Sequence, residues 1–127
     1  VIAVVLAAIF LATTFRQPAQ AAQQAAPNGP LAVFSCNVNQ VAIFNNVGAG
    51  RVHVRCSNSY NDSGTLVYYW AYSASDSAGA SRYLSLFATA QATGNTVTLY
   101  FTPGDTSGSA WGCGSGDCRR IWGATVP

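Results

Sequence analysis

Arg51, His53 and Arg55 alternate with Val52, Val54 and Cys56 in the segment RVHVRC. In an extended chain successive side chains point to opposite faces, so the two arginines and the histidine share one side. The following apolar segment, Thr65 to Tyr72 (TLVYYWAY), supplies Tyr68, Tyr69, Trp70 and Tyr72. Guanidinium groups beside aromatic rings suit carboxylate or phosphate groups on sugars or nucleotides, through forked hydrogen bonds and stacking. The competing reading is that alternating polar residues simply cover the wet side of a half-buried sheet. Trp111 lies in the loop GDTSGSAWGCGSG, where an indole either stacks on a sugar ring or folds back to bury its own area. The candidate contact set is therefore Arg51, His53, Arg55, Tyr68, Trp70 and Trp111.

Catalytic chemistry has less to stand on. His53 is the one histidine, there is no G-x-S-x-G turn, and no acid has a motif-level link to that histidine. Asp62, Asp76, Asp105 and Asp117 each fall in a predicted turn, cap or loop, where aspartate has an ordinary structural reason to be. Cys113 and Cys118 are separated by GSGD, not by the two residues of a C-x-x-C motif, and a zinc ion would lack further ligands. The expectation is a protein that binds and is not an enzyme, without metal or cofactor.

The chain has 127 residues, enough for one domain. Its first 14 residues (VIAVVLAAIFLATT) carry no charge. That run is short of the roughly 20 residues a membrane span needs and matches the apolar region of a signal peptide. Ala19-Gln20-Ala21 fits an A-x-A cleavage site, giving a leader over 1–21. Arg16 interrupts the flank of the run, and an uncleaved anchor is the alternative. Residues 22–30, rich in Ala, Gln and Pro, cannot bury enough surface to offset ordering entropy and read as a flexible lead-in. The folded domain is expected over 31–127.

All six basic residues are Arg and all four acidic ones are Asp. Without Arg16, five arginines face four aspartates, a near-neutral balance that excludes a dedicated nucleic-acid binder. Four cysteines and a leader together predict an oxidising compartment, secreted or periplasmic, with no stable membrane insertion once the leader is removed. Four cysteines allow three pairings. Cys36 and Cys56 lie near the outer ends of a predicted hairpin, and the flexible GSGD lets Cys113 double back to Cys118, so those two bridges are favoured.

The elements that must position the candidates follow in a definite order. A first strand lies within Leu31 to Phe44, where Val33, Val41 and Ile43 share one parity; Arg51 to Cys56 is the second and Thr65 to Tyr72 the third. Turn clusters separate them at Asn45 to Gly50 and Ser57 to Gly64. From Ser77 to Thr93 the period becomes helical, with Ala80, Tyr83, Leu84, Phe87, Ala88 and Ala90 on one stripe. Ser75 or Ser77 is the expected N-cap, with Asp76 near the positive end of the dipole, and Gly94 the expected left-handed C-terminal cap. Alternation returns over Asn95 to Thr102, and Arg119 to Val126 forms the last strand. The order β-β-β-α-β-β, mainly β with one helix, predicts a small five-stranded OB-like barrel, with an open α+β sheet as the competitor.

The run Ala92-Thr93-Gly94-Asn95 into Val97-Thr98-Leu99-Tyr100, and the late Gly112-Cys113 … Asp117-Cys118-Arg119-Arg120-Ile121, resemble short secreted proteobacterial proteins. Their layout is similar to the receptor-binding B subunits of subtilase-cytotoxin-like toxins. That resemblance, over Val33 to Val126, implies an OB barrel, assembly into a ring of like subunits and recognition of sialylated glycans. No glycan-contacting residue of that family falls on a matching motif here, and Asn95 stands where relatives often carry Lys. The expected function is a small binding module for glycans or acidic small ligands. A structural or ring-forming subunit with a protein partner is the alternative, and a homo-oligomer is compatible with both.

Overall fold

The computed structural model describes residues 29–44, 51–72, 76–114 and 116–127. The expected leader, most of the lead-in, the turn at 45–50 and Ser75 lie outside the described residues. Among the described residues six strands and one α-helix follow in the order β1 (Ala32–Phe44), β2 (Arg51–Asp62), β3 (Thr65–Tyr72), α1 (Ser77–Thr93), β4 (Thr96–Phe101), β5 (Cys118–Arg120) and β6 (Gly123–Thr125). A 3-10 helix, Thr106–Trp111, sits between β4 and β5.

The strands form one curled, half-barrel sheet in the order β5-β3-β2-β1-β4-β6. All pairs are antiparallel except β3 with β5. The expected single last strand is divided in two, which raises the count from five to six. The cause is a change of partner: Ile121 N–H donates to Ala71 O of β3, and the next residue, Trp122, donates to Tyr100 O of β4. One continuous segment thus supplies both edges of the half-barrel, β5 beside β3 and β6 beside β4.

Inward alternation builds the core. Val52 and Val54 of β2, Val67 and Trp70 of β3, and Val97, Leu99 and Phe101 of β4 are all buried, with Ile121 from the closing segment. Phe34 stacks on Trp70 with ring centroids 4.9 Å apart, and Tyr60 meets Phe101 edge-on at 4.9 Å. The helix adds Ala80, Phe87 and Ala90. Ala88, expected on the same stripe, is exposed, and Leu86 packs against the core beside Tyr83 and Leu84.

The first strand corrects the expected parity. Val33 is 57% exposed and Ile43 48%, while Phe34, Cys36 and Val38 turn inward. A register shift between Val38 and Gln40 then changes which parity faces the core, so Val41 packs inward. The turn expected over Ser57–Gly64 contracts to Ser63 and Gly64, with φ of 54° and 92°. Both positive values are those of a two-residue hairpin turn, braced by Gly64 N–H on Asn61 Oδ1 at 2.8 Å. Ser57 to Ser59 stay extended across a second irregularity in the ladder, between Arg55 and Tyr60.

Where the ladders of β1 change partner, side chains take over their bonds. Asn58 Oδ1 accepts from Asn37 N–H at 2.9 Å, and its Nδ2 donates to Ser35 O at 2.7 Å. Gln91 of the helix donates to Asn39 O at 2.6 Å. The helix N-cap is Asp76, not a serine: its Oδ1 accepts from Gly79 N–H at 2.8 Å. Gly94 takes the left-handed C-cap, φ 72°. Both favoured disulfides are present, Cys36 with Cys56 between β1 and β2, and Cys113 with Cys118 at the start of β5. They point to an oxidising, extracytoplasmic setting. Among the described residues no helix is long and apolar enough to cross a membrane.

Asp62 and Arg119 form a buried ion pair, Nε to Oδ2 at 2.5 Å, with each side chain 4% exposed. The same Oδ2 accepts from Gly104 N–H at 2.7 Å. Burial opposes ionisation of Asp62, but the Gly104 N–H, the Arg119 hydrogen bond and its charge prevail and hold the pKa below the ordinary 3.8. A lowered folded-state pKa contributes stability above 3.8 that is lost as pH falls through the folded value. Acid titration followed by circular dichroism is expected to show this loss below the ordinary carboxylate range. Asp62→Ala, which leaves the guanidinium buried alone, is expected to cost about 3–5 kcal/mol in urea unfolding with disulfides intact.

Candidate functional site

The alternation RVHVRC holds in β2. Val52, Val54 and Cys56 face the core, which puts Arg51, His53 and Arg55 on the outer face. Cross-strand register decides which aromatics join them. Arg55 lies opposite Tyr69, His53 opposite Ala71, and Val54 opposite Trp70. Directly opposed residues in an antiparallel pair share a face. Trp70 is therefore inward with Val54 and fully buried, so it is withdrawn from any outer contact surface. Tyr72, opposite Val52, is inward as well. Tyr68 is half-buried and lies between the outward Tyr69 and the buried Val67. The ring that does accompany Arg55 is Tyr69, with the guanidinium 5.6 Å from its centroid.

The parallel β3–β5 register extends this face. Ala71 lies beside Arg120, as Trp70 lies beside the buried Arg119. Arg120 sits over two indoles, 5.3 Å from the Trp111 centroid and 3.7 Å from that of Trp122. Its Nε and Nη2 are buried without a hydrogen-bond partner among the described residues, so the ring faces supply its main favourable surroundings. Burial pulls the Arg120 pKa down, and the negative charge of Asp105 opposes that pull. At the other end Arg51 stands 5.2 Å over the Phe44 ring, which in turn lies 4.7 Å from the His53 ring. Three arginines thus occupy one face, each against an aromatic ring.

The loop after β4 covers the middle of this face. Its turn is tied to Asp62 through Gly104, and Asp105 Oδ1 caps the 3-10 helix from Ser107 N–H at 2.9 Å. Gly108 is buried so close to the backbone of β5 that a Cβ there would lie 3.0 Å from the Arg119 carbonyl carbon. At the far end the Trp111 carbonyl accepts from His53 Nε2 at 2.7 Å. A carbonyl only accepts, so the neutral ring carries its proton on Nε2. Comparison with protein-family models, with curated proteins and with solved structures finds no match.

Of the expected contact set, the structure brings Arg51, His53, Arg55 and Trp111 to one side. It removes Trp70 from that side and seals His53, at 8% exposure, beneath the loop. Phe44, Arg120 and Trp122 join this face from outside the residues singled out in the sequence, and Tyr69 is the third-strand aromatic that replaces Trp70. Arg120 and Trp122 were legible as like-parity neighbours in RRIW, whereas Phe44 and Tyr69 needed the strand register. Among the described residues no cluster of His, Cys, Asp or Glu could hold a metal ion.

Burial, the largest cause, lowers the His53 pKa from 6.5; the Trp111 carbonyl opposes this and the Arg51 charge adds to it. With the folded-state pKa below the unfolded one, the unfolded chain takes up the proton first. Stability is then complete above 6.5, declines as pH falls toward the folded value and levels off below it. His53→Gln, which retains a donor for the Trp111 carbonyl, is expected to abolish that step in midpoint-versus-pH curves from thermal unfolding.

Proposed function

We propose that this protein is a secreted or periplasmic binding module for acidic ligands, acidic glycans among them, and acts by binding without catalysis. The outer face of β2, β3 and the closing segment is the contact surface. The observation that supports this reading best is the row of three arginines, each held against a ring. For the exposed Arg55, packing against Tyr69 restrains the guanidinium while leaving the side chain open to solvent, which lowers the entropy lost on forming a fork with a carboxylate. Arg55 is the most accessible of the three and adjoins Tyr69, whose ring offers an apolar face for a sugar. A toxin B-subunit-like role fits the same chemistry, because sialylated glycans are carboxylates.

A second reading rests on a different observation. Leu31, Val33, Ile43, Phe44 and Leu66 are exposed large apolar residues. Three of them lie in β1, and such a distribution favours a protein partner or a ring of like subunits.

A glycan array containing sialylated and uronic-acid structures tests the first reading. Selective binding is expected, and Arg55→Ala is expected to weaken it at least about tenfold while near-ultraviolet circular dichroism stays unchanged. A blank array together with a discrete oligomer in light scattering is the result that replaces the first reading with the second.

A further inference from the structure

A groove of about 330 Å3 opens between the N-terminal half of α1 and β6, and it shares no lining residue with the arginine face. Its volume lies near the lower end of small-ligand sites, about 300 Å3. Tyr72, Asp76, Arg82 and Tyr83 line it, with Gly123 and Ala124 of β6 contributing little more than backbone.

The polar groups are arranged in advance. Asp76 Oδ2 accepts from the Tyr72 hydroxyl at 3.0 Å, while Oδ1 caps the helix. Each carboxylate oxygen keeps further acceptor capacity. The Gly79 N–H, then the Tyr72 hydroxyl and more weakly the Arg82 charge, hold the Asp76 pKa below its ordinary value, so it is an anion at neutral pH. Burial, the Asp76 hydrogen bond and its charge push Tyr72 up to about 12, which keeps that hydroxyl a donor. The rings of Tyr72 and Tyr83 lie 4.4 Å apart, and a substituent on Gly79 would strike the Tyr72 ring at 2.7 Å. Gly79 therefore permits this approach of helix to strand.

Charge narrows the ligand class. The carboxylate disfavours an anion and already occupies the Gly79 N–H at the helix start. The Arg82 guanidinium disfavours a cation. A neutral polyol suits both, since each hydroxyl donates and accepts: the carboxylate accepts from one hydroxyl and the guanidinium donates to its neighbour. We propose that this groove binds a neutral sugar ring, through adjacent hydroxyls shared between Asp76 and Arg82, independently of the arginine face.

Titration of the protein with methyl glycosides of glucose, galactose, mannose and N-acetylglucosamine, by saturation-transfer NMR and calorimetry, tests the assignment. At least one is expected to bind saturably. Arg82→Ala and Asp76→Asn are each expected to weaken it about fivefold or more, asparagine preserving the helix cap. Arg55→Ala is expected to leave that affinity unchanged. Absence of saturable binding to all four glycosides overturns the proposal. So does binding that either groove variant weakens less than about fivefold, or that Arg55→Ala abolishes.

Discussion

A guanidinium and a carboxylate meet in the interior of this fold, and three distant parts of the chain meet with them. Asp62 ends β2, Arg119 lies in β5, and Gly104 begins the loop between β4 and β5; one carboxylate oxygen bonds both the arginine and the glycine N–H. Arg119 Nη1 also donates to Cys118 O at 3.0 Å. Burying two charges costs several kcal/mol each, which only close geometry and further hydrogen bonds offset. The pair therefore specifies placement more than it adds net stability. It also orients the site. Strand alternation sends Arg120 outward once Arg119 points inward, and Arg120 then lands against Trp111 and Trp122.

The rest of the architecture handles a modest core economically. The described domain is under 100 residues, and chains of that size bury a limited fraction of their surface. Two disulfides restrict the unfolded chain, one across β1 and β2 and one clasping the loop to β5. Polar side chains complete what the ladders leave open. Asn58 offers a donor and an acceptor to β1 as a neighbouring strand would, and Gln91 reaches the carbonyl of Asn39 from the helix. Satisfying these groups matters because an unpaired backbone group at a sheet edge costs energy when buried and recruits other chains when exposed.

The same loop that Asp62 anchors shapes the outer surface. It seals the centre, where His53 is bonded to the Trp111 carbonyl, and leaves Arg55 with Tyr69 accessible beyond its edge. His53 lies buried under this disulfide-clasped loop, and that burial is the chief cause of its lowered pKa. The groove beside α1 sits elsewhere, with a carboxylate, a guanidinium and two tyrosines in place of stacked arginines. Its charges therefore differ from those of the outer face.

Local physics determined what the sequence by itself could determine. The period-2 run over Arg51 to Cys56, the β-branched and aromatic run over Thr65 to Tyr72, the helix over Ser77 to Thr93 and its Gly94 cap all depend on residues near one another in the chain. The favoured cysteine pairs were legible for the same reason: one closes a predicted hairpin and the other spans a short flexible loop. The remainder was decided by tertiary structure. The parity of β1 turned on a register shift, because one extra residue exchanges the two faces of a strand. Trp70 and Tyr69 are adjacent and equally aromatic, and only the pairing with β2 sends the first to the core and the second to Arg55. Asp62 in its turn carries no local sign that Arg119 lies against it, since 57 residues separate them and the chain must close before they meet.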